Sequence, residues 1–197
     1  MGNKGSGQVR TTPSSGGSRK TYIIVGAVVL AFVAGFVALV VLDSRQQAAS
    51  TPPGEVRTYD VGQAGQHTDG DVDYEQTPPA GGEHDDVWQN SGFYEQPIRD
   101  ENAVHTLEHG AVWITYDPDL PQDQKNRIRG LVEGQTCMLA SPHPDLPNPV
   151  VASAWGKQLT LESADSADLE RFVRAYRQGP QTPEPGATCT GGTSDTV

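Results

Sequence analysis

From Thr21 to Leu42 the chain reads TYIIVGAVVLAFVAGFVALVVL, an unbroken apolar run without a single charge. At ~1.5 Å per residue such a helix spans about 33 Å, enough for the roughly 30 Å hydrocarbon core of a bilayer. A helix is the expected form, because lipid offers no partners to backbone N–H and C=O groups. A cleaved signal peptide would carry only ~7–15 apolar residues before a small-x-small site. This run is longer and is followed by Asp43-Ser44-Arg45-Gln46-Gln47, so a retained single-pass anchor is expected.

Beyond the anchor the pattern changes to short periodic segments. Val56–Tyr59 can begin a strand, and Ala111–Tyr116 (AVWITY) is β-branched and aromatic, a strand ended by Asp117-Pro118-Asp119. Pro121–Glu133 predicts a helix with Pro at its first position, Ile128, Leu131 and Val132 on its apolar side, and Gly134 as its stop. Thr136–Ala140 returns as a short strand, and Val150–Leu161 gives one long strand or two short ones. Asp165–Arg177 is the last helix, capped by Asp165, with Leu169, Phe172, Val173 and Tyr176 on the face that must dock on the sheet. Residues 62–92, rich in Gly, Asp, Gln and Pro, predict a long irregular region, a kind of segment that often carries a site.

These segments predict an α+β fold: a small mixed domain with a β-sheet and two or three packed helices, after one N-terminal transmembrane helix. Residues 1–20 read as a disordered tail, 21–42 as the membrane helix, 43–54 as a polar stalk, 55–180 as the globular domain and 181–197 as a flexible tail.

Charge adds orientation. Lys4, Arg10, Arg19 and Lys20 precede the anchor and all twenty-five acidic residues follow it, so ten basic residues remain beyond Leu42, for a formal −15 there. The positive-inside rule then places the N-terminus in the cytoplasm and the acidic domain outside the cell membrane. An acidic domain without a basic patch argues against nucleic-acid partners, which leaves the bilayer at residues 21–42 and an envelope protein as the candidate partners. Cys137 and Cys189, both outside the membrane, suit a disulfide in an oxidising compartment, with free thiols or metal ligation as the competing readings.

The candidate chemistry lies in histidine. Four of the five histidines, His67, His84, His105 and His109, fall between residues 67 and 109, and neutral imidazole suits copper and zinc. His105–His109 spells H-x-x-E-H, which on a helix lets both imidazoles grip one zinc with Glu108 as general base. Gly110 and a strand follow at once, so any helix here is expected to be one or two turns. Histidines that merely bond locally around loops are the plain alternative. Pro78-Pro79 and Gly81-Gly82 would place His84 reproducibly. The absence of G-x-S-x-G, a P-loop and G-x-G-x-x-G argues against the common hydrolase, nucleotide and dinucleotide classes.

Four stretches, YEQTPPAGGEHDDVW (74–88), GFYEQPI (92–98), VHTLEHGAVWITYDPDL (104–120) and SAWGKQLTL (153–161), with FVRAYRQGP (172–180) after them, resemble the DUF3105 family. This is a group of bacterial and archaeal proteins, often with one N-terminal membrane segment, to which no activity is assigned. The resemblance implies that His67, His84, His105, Glu108 and His109 belong to one site. The chain has Gly81 where members commonly carry Ser. The expected function is a membrane-anchored extracytoplasmic domain that binds copper or zinc through His67, His84, His105 and His109. The alternatives are an envelope interaction module without metal and a zinc-dependent hydrolase using Glu108 as base.

Overall fold

The computed structural model describes the backbone of residues 18–50 and 53–197, and the side chains of 21–41 and 53–197. The chain forms two compact units that divide between Ala48 and Ala49. The first holds all but the last two residues of helix α1, Ser18–Ser50, whose segment Thr21–Val41 has a mean hydropathy of 3.0 and is long and apolar enough to cross a membrane. The expected disordered tail lies largely outside the described residues. Residues 43–50, the first part of the stretch expected as stalk (43–54), are helical. Arg45, Gln46, Gln47, Ala48 and Ala49 are good helix formers, which explains the extension.

The second unit is built on a six-stranded sheet. Its strands are β1 (Arg57–Thr58), β2 (Gly92–Phe93), β3 (Val112–Tyr116), β4 (Met138–Pro142), β5 (Val150–Ala154) and β6 (Lys157–Leu161), in the order β1-β6-β5-β3-β4-β2. The neighbours β3/β4 and β2/β4 run parallel, and the other pairs are antiparallel. Three helices accompany the sheet: α2 (Asp100–Glu108), α3 (Gln122–Val132) and α4 (Ala167–Tyr176). Val150–Leu161 is thus two strands, joined at Trp155-Gly156, and the architecture is the expected α+β domain.

Residues of the central strand β3 point alternately to two cores. Val112, Ile114 and Tyr116 pack with Ile128 and Val132 of α3 and Leu169 and Phe172 of α4. Trp113, on the opposite face, packs with Leu139, Trp155, Ile98 and Ala103, Val104 and Leu107 of α2. Because both faces are covered, β3, β4 and β5 are buried along their whole length.

Two local expectations change. Helix α4 is capped by Ser166, whose Oγ accepts from the Asp168 N–H at 3.3 Å, rather than by Asp165. Cys137 does not sit in a strand: its φ of +53° puts it in the left-handed region just before β4. It is bonded to Cys189 across 52 residues, so the disulfide is the reading that holds among those left open. That bond seats a tail whose composition predicts little packing. The Ser91 N–H donates to Cys189 O (2.9 Å), Asn90 N–H to Thr193 O (2.8 Å) and Thr193 N–H to Trp88 O (2.9 Å). Segment 88–91 therefore gives the tail a backbone partner that composition does not reveal.

Candidate metal centre

Helix α2 carries half of the site. Its apolar residues Ala103, Val104 and Leu107 face the Trp113 side of the sheet. Asp100 and Glu101 occupy the first turn, where negative charge suits the helix dipole. The helix is nine residues long, longer than the turn or two expected, because it starts at Asp100, well before the first motif histidine. It ends in a Schellman motif: Gly110 N–H donates to Leu107 O (2.9 Å) and Ala111 N–H to Thr106 O (3.0 Å). Gly110 has φ +93°, and a Cβ there would meet the Thr182 side chain at 2.8 Å. This tight stop lets β3 begin two residues later.

The rest of the site comes from the irregular region. Segments 66–68 and 84 pair like a fragment of parallel sheet, with Thr68 N–H donating to His84 O (2.8 Å) and His84 N–H to Gln66 O (3.0 Å). Arg99 ties this region to α2. Its guanidinium pairs with the Asp85 carboxylate, donates to Gly70 O (2.8 Å) and lies 3.1 Å from a Glu101 carboxylate oxygen. Glu101 in turn accepts from the Val72 N–H (2.8 Å). Gly81 turns the chain into His84 with φ +142°, and a Cβ there would meet a Val61 methyl at 2.8 Å. A Ser at this position would require Val61 to shift.

These constraints converge three imidazoles and one carboxylate. Ligand atoms of His67, His84, His105 and Glu108 all lie within 4.8 Å of one another. The His67 ring stacks on His105 at 5.1 Å and meets His84 edge-on at 4.9 Å, while His84 and His105 are 4.8 Å apart. Trp88 and Trp155 stand beside His105 and His84 and help to exclude water. His67 is the solvent-facing member, and the other three are buried.

Hydrogen bonding fixes how the rings are presented. His84 Nδ1 lies 2.8 Å from Gly82 O, and His105 Nδ1 lies 2.7 Å from Asp85 O. A carbonyl only accepts, so each Nδ1 carries a proton, and in a neutral ring this leaves the lone pair on Nε2. This arrangement orients metal-binding histidines in general. Burial, followed by the neighbouring His109, His84 and His67, pushes His105 down to about 4, against a partly opposing bond from Asp85 O. Its ring is therefore neutral at physiological pH.

Glu108 completes the set. Its Oε1 accepts from the Gly65 N–H at 2.6 Å, and its Oε2 lies 3.0 Å from His84 Nε2. The separation alone would suit an ion pair, yet neither atom has a hydrogen bond. Both residues are sealed, at 0 % and 1 % exposure. With a neutral His84 ring, two buried Lewis bases face each other here at about the separation of neighbouring ligands in a shell of ~2.0–2.2 Å bonds. The residues fit a divalent cation.

His109 stands apart from this group. On a helix, positions 108 and 109 lie about 60° to one side and about 40° to the other of position 105. Glu108 accordingly turns toward Gly65 and His84. His109 turns toward the C-terminal tail, where its Nδ1 lies 2.6 Å from Thr188 O, although its ring remains 4.6 Å from that of His105. Of the four histidines expected to share one site, three converge, and Glu108 takes the fourth place. The i, i+3 spacing of His105 and Glu108 carried that signal. His143 lies elsewhere, paired with Asp100 at 3.3 Å.

Residues 66–191 match the family model described as "Protein of unknown function (DUF3105)". No curated protein and no solved structure matches the chain. The matched range takes in most of the irregular region, α2, strands β2 to β6, both cysteines of the disulfide and all four converging residues, while β1 and Gly65 lie before it. The chain belongs to the DUF3105 family.

Proposed function

We propose that this protein is a single-pass membrane protein, N-terminus in the cytoplasm, whose extracytoplasmic domain binds one copper or zinc ion through His67, His84, His105 and Glu108. The observation that carries the reading is the buried pair His84 Nε2 and Glu108 Oε2, 3.0 Å apart and without hydrogen bonds. An unpaired polar atom in a sealed position costs about 1–3 kcal/mol, more when charged, and a bound cation removes that cost at both atoms. Three imidazoles and a carboxylate, with no sulfur, suit Zn²⁺ or Cu²⁺ better than Cu⁺. The disulfide Cys137–Cys189 and the apolar helix Thr21–Val41 support an oxidising compartment reached across a membrane.

The test is elemental analysis of the full chain, purified in detergent without a His-tag. The wild type is expected to hold one equivalent, and the His84→Ala/His105→Ala protein none. Metal content unchanged in the double variant would overturn the reading. Glu108→Gln separates binding from hydrolysis. A ligand role predicts weaker metal retention, whereas a role as catalytic base predicts full retention with loss of a hydrolytic activity.

A further inference from the structure

We propose, resting on the metal reading above, that His67 is the exchange ligand of the centre. Its ring swings aside to let the ion in and out, while His84, His105 and Glu108 hold their places. Access points there first. His67 is exposed, whereas His84, His105 and Glu108 are only 0 %, 5 % and 1 % exposed. Trp155 stands edge-on to the His84 ring at 6.0 Å, and Trp88 to the His105 ring at 5.7 Å. Thr106 and Leu107 of α2, and Gln89 bonded to Thr106, are fully buried. The centre therefore opens to solvent at His67.

The four donors also differ in what holds them. The His84 and His105 rings are each anchored by Nδ1 to a carbonyl, and the Glu108 carboxylate accepts from the Gly65 N–H. Such supporting bonds keep metal-bound side chains in position. Among the described residues, no hydrogen bond holds the His67 ring. It only rests against His84 and His105, at 4.9 and 5.1 Å. Its backbone, by contrast, is pinned on both sides, by Thr68 N–H to His84 O and His84 N–H to Gln66 O. Rotation of the side chain alone takes the ring into solvent and breaks no hydrogen bond within the protein. Three ligands and an open position then remain, the form in which metal sites accept an incoming donor. The segment between Arg57 and Arg99, which carries His67 and His84, holds nine Asp and Glu and no Lys or Arg, so a cation approaching it is attracted.

The competing arrangement is a rigid cage of four equal ligands that releases its ion only when the fold opens. Two measurements on the tag-free, zinc-loaded full chain in detergent decide between them. Diethyl pyrocarbonate acylates a free imidazole nitrogen and spares one bound to metal, and peptide mass spectrometry locates the modified rings. His67 is expected to react before His84 and His105 while the zinc stays bound. Exchange of bound natural zinc for added ⁶⁷Zn²⁺ gives the second readout. His67→Ala, a change at an exposed side chain, is expected to keep one equivalent and to exchange it at least about tenfold faster, the size of loss that removing even a supporting group produces. Equal protection of all three rings overturns the exchange role. So does an unchanged exchange rate in His67→Ala, which would make His67 no ligand, or loss of the ion from that variant, which would make it a holding ligand like the others. In each of these cases the wild-type zinc leaves the metal centre itself standing, whereas a wild type that holds no zinc overturns both readings.

Discussion

The two ends of α2 treat histidine in opposite ways. At its start, Asp100 receives His143, whose Nε2 lies 3.4 Å from a carboxylate oxygen while Nδ1 lies 2.6 Å from Pro144 O. Burial alone would lower the pKa of His143, but the hydrogen bond and charge of Asp100 prevail and raise it. In the last turn, His105 has a carbonyl on one nitrogen and other imidazoles around it, and burial pushes it down to about 4. One end therefore favours a cationic ring with both nitrogens satisfied, and the other a neutral ring with a free lone pair. Nearness to acids does not separate them, since Glu108 adjoins the second group. The partner of each nitrogen does.

Acid titration of the metal-free chain should expose this contrast most strongly. In the unfolded chain His105 titrates near 6.5, and in the folded chain at about 4. Between those values the unfolded state holds the extra proton, so stability falls as pH drops from about 6.5 to about 4. The full loss is on the order of 3 kcal/mol. Urea unfolding at a series of pH values should show the slope, and His105→Gln should flatten it. His143 works in the other direction: its contribution is present below about 6.5 and is lost as pH rises through its raised folded value.

A smaller effect is expected at Arg99, which joins the irregular region to α2. Arg99→Ala frees Asp85, whose carbonyl orients His105, and should weaken metal affinity about tenfold in a competition titration with a chelator. An unchanged affinity would mean that the loop holds His105 without the clamp. The smallest effect belongs to Asp100→Asn. It should lower the pKa of His143 measured by NMR, change stability by less than about 1 kcal/mol and leave metal content untouched. Loss of metal in that variant would show that the two ends of α2 are not independent.

Much of the scaffold is legible in the amino-acid order because periodicity reports burial directly. Ala111–Tyr116, the apolar side of α3 and the Leu169/Phe172 face of α4 all lie where their patterns put them. Helix α2 is harder to read: its apolar residues are few, and its polar ones, Glu101, Asn102, His105 and Glu108, are themselves buried by the site. Amphipathic contrast fails where polar side chains are buried as well. The cap of α4 went to Ser166 instead of Asp165 because adjacent residues, both of types that cap well, compete for that role. The tail from Gly179 is illegible for another reason. Its order comes from a disulfide and from backbone partners in 88–91, and composition records neither.

What the order of residues settled is the apolar helix, the acidic domain after it, the α+β frame and a concentration of imidazole between residues 67 and 109. Each follows from local physics: hydropathy, charge and period act over a few residues. Only the tertiary structure decided which donors meet. His67 and His84 are brought together by a two-point backbone pairing, and Glu108 rather than His109 joins them because the helix turns about 100° per residue. The proton positions on His84 and His105 depend on carbonyls of Gly82 and Asp85, set by a glycine turn and an arginine clamp. A ligand set is a statement about distances across the fold, and spacing along the chain contains only part of it.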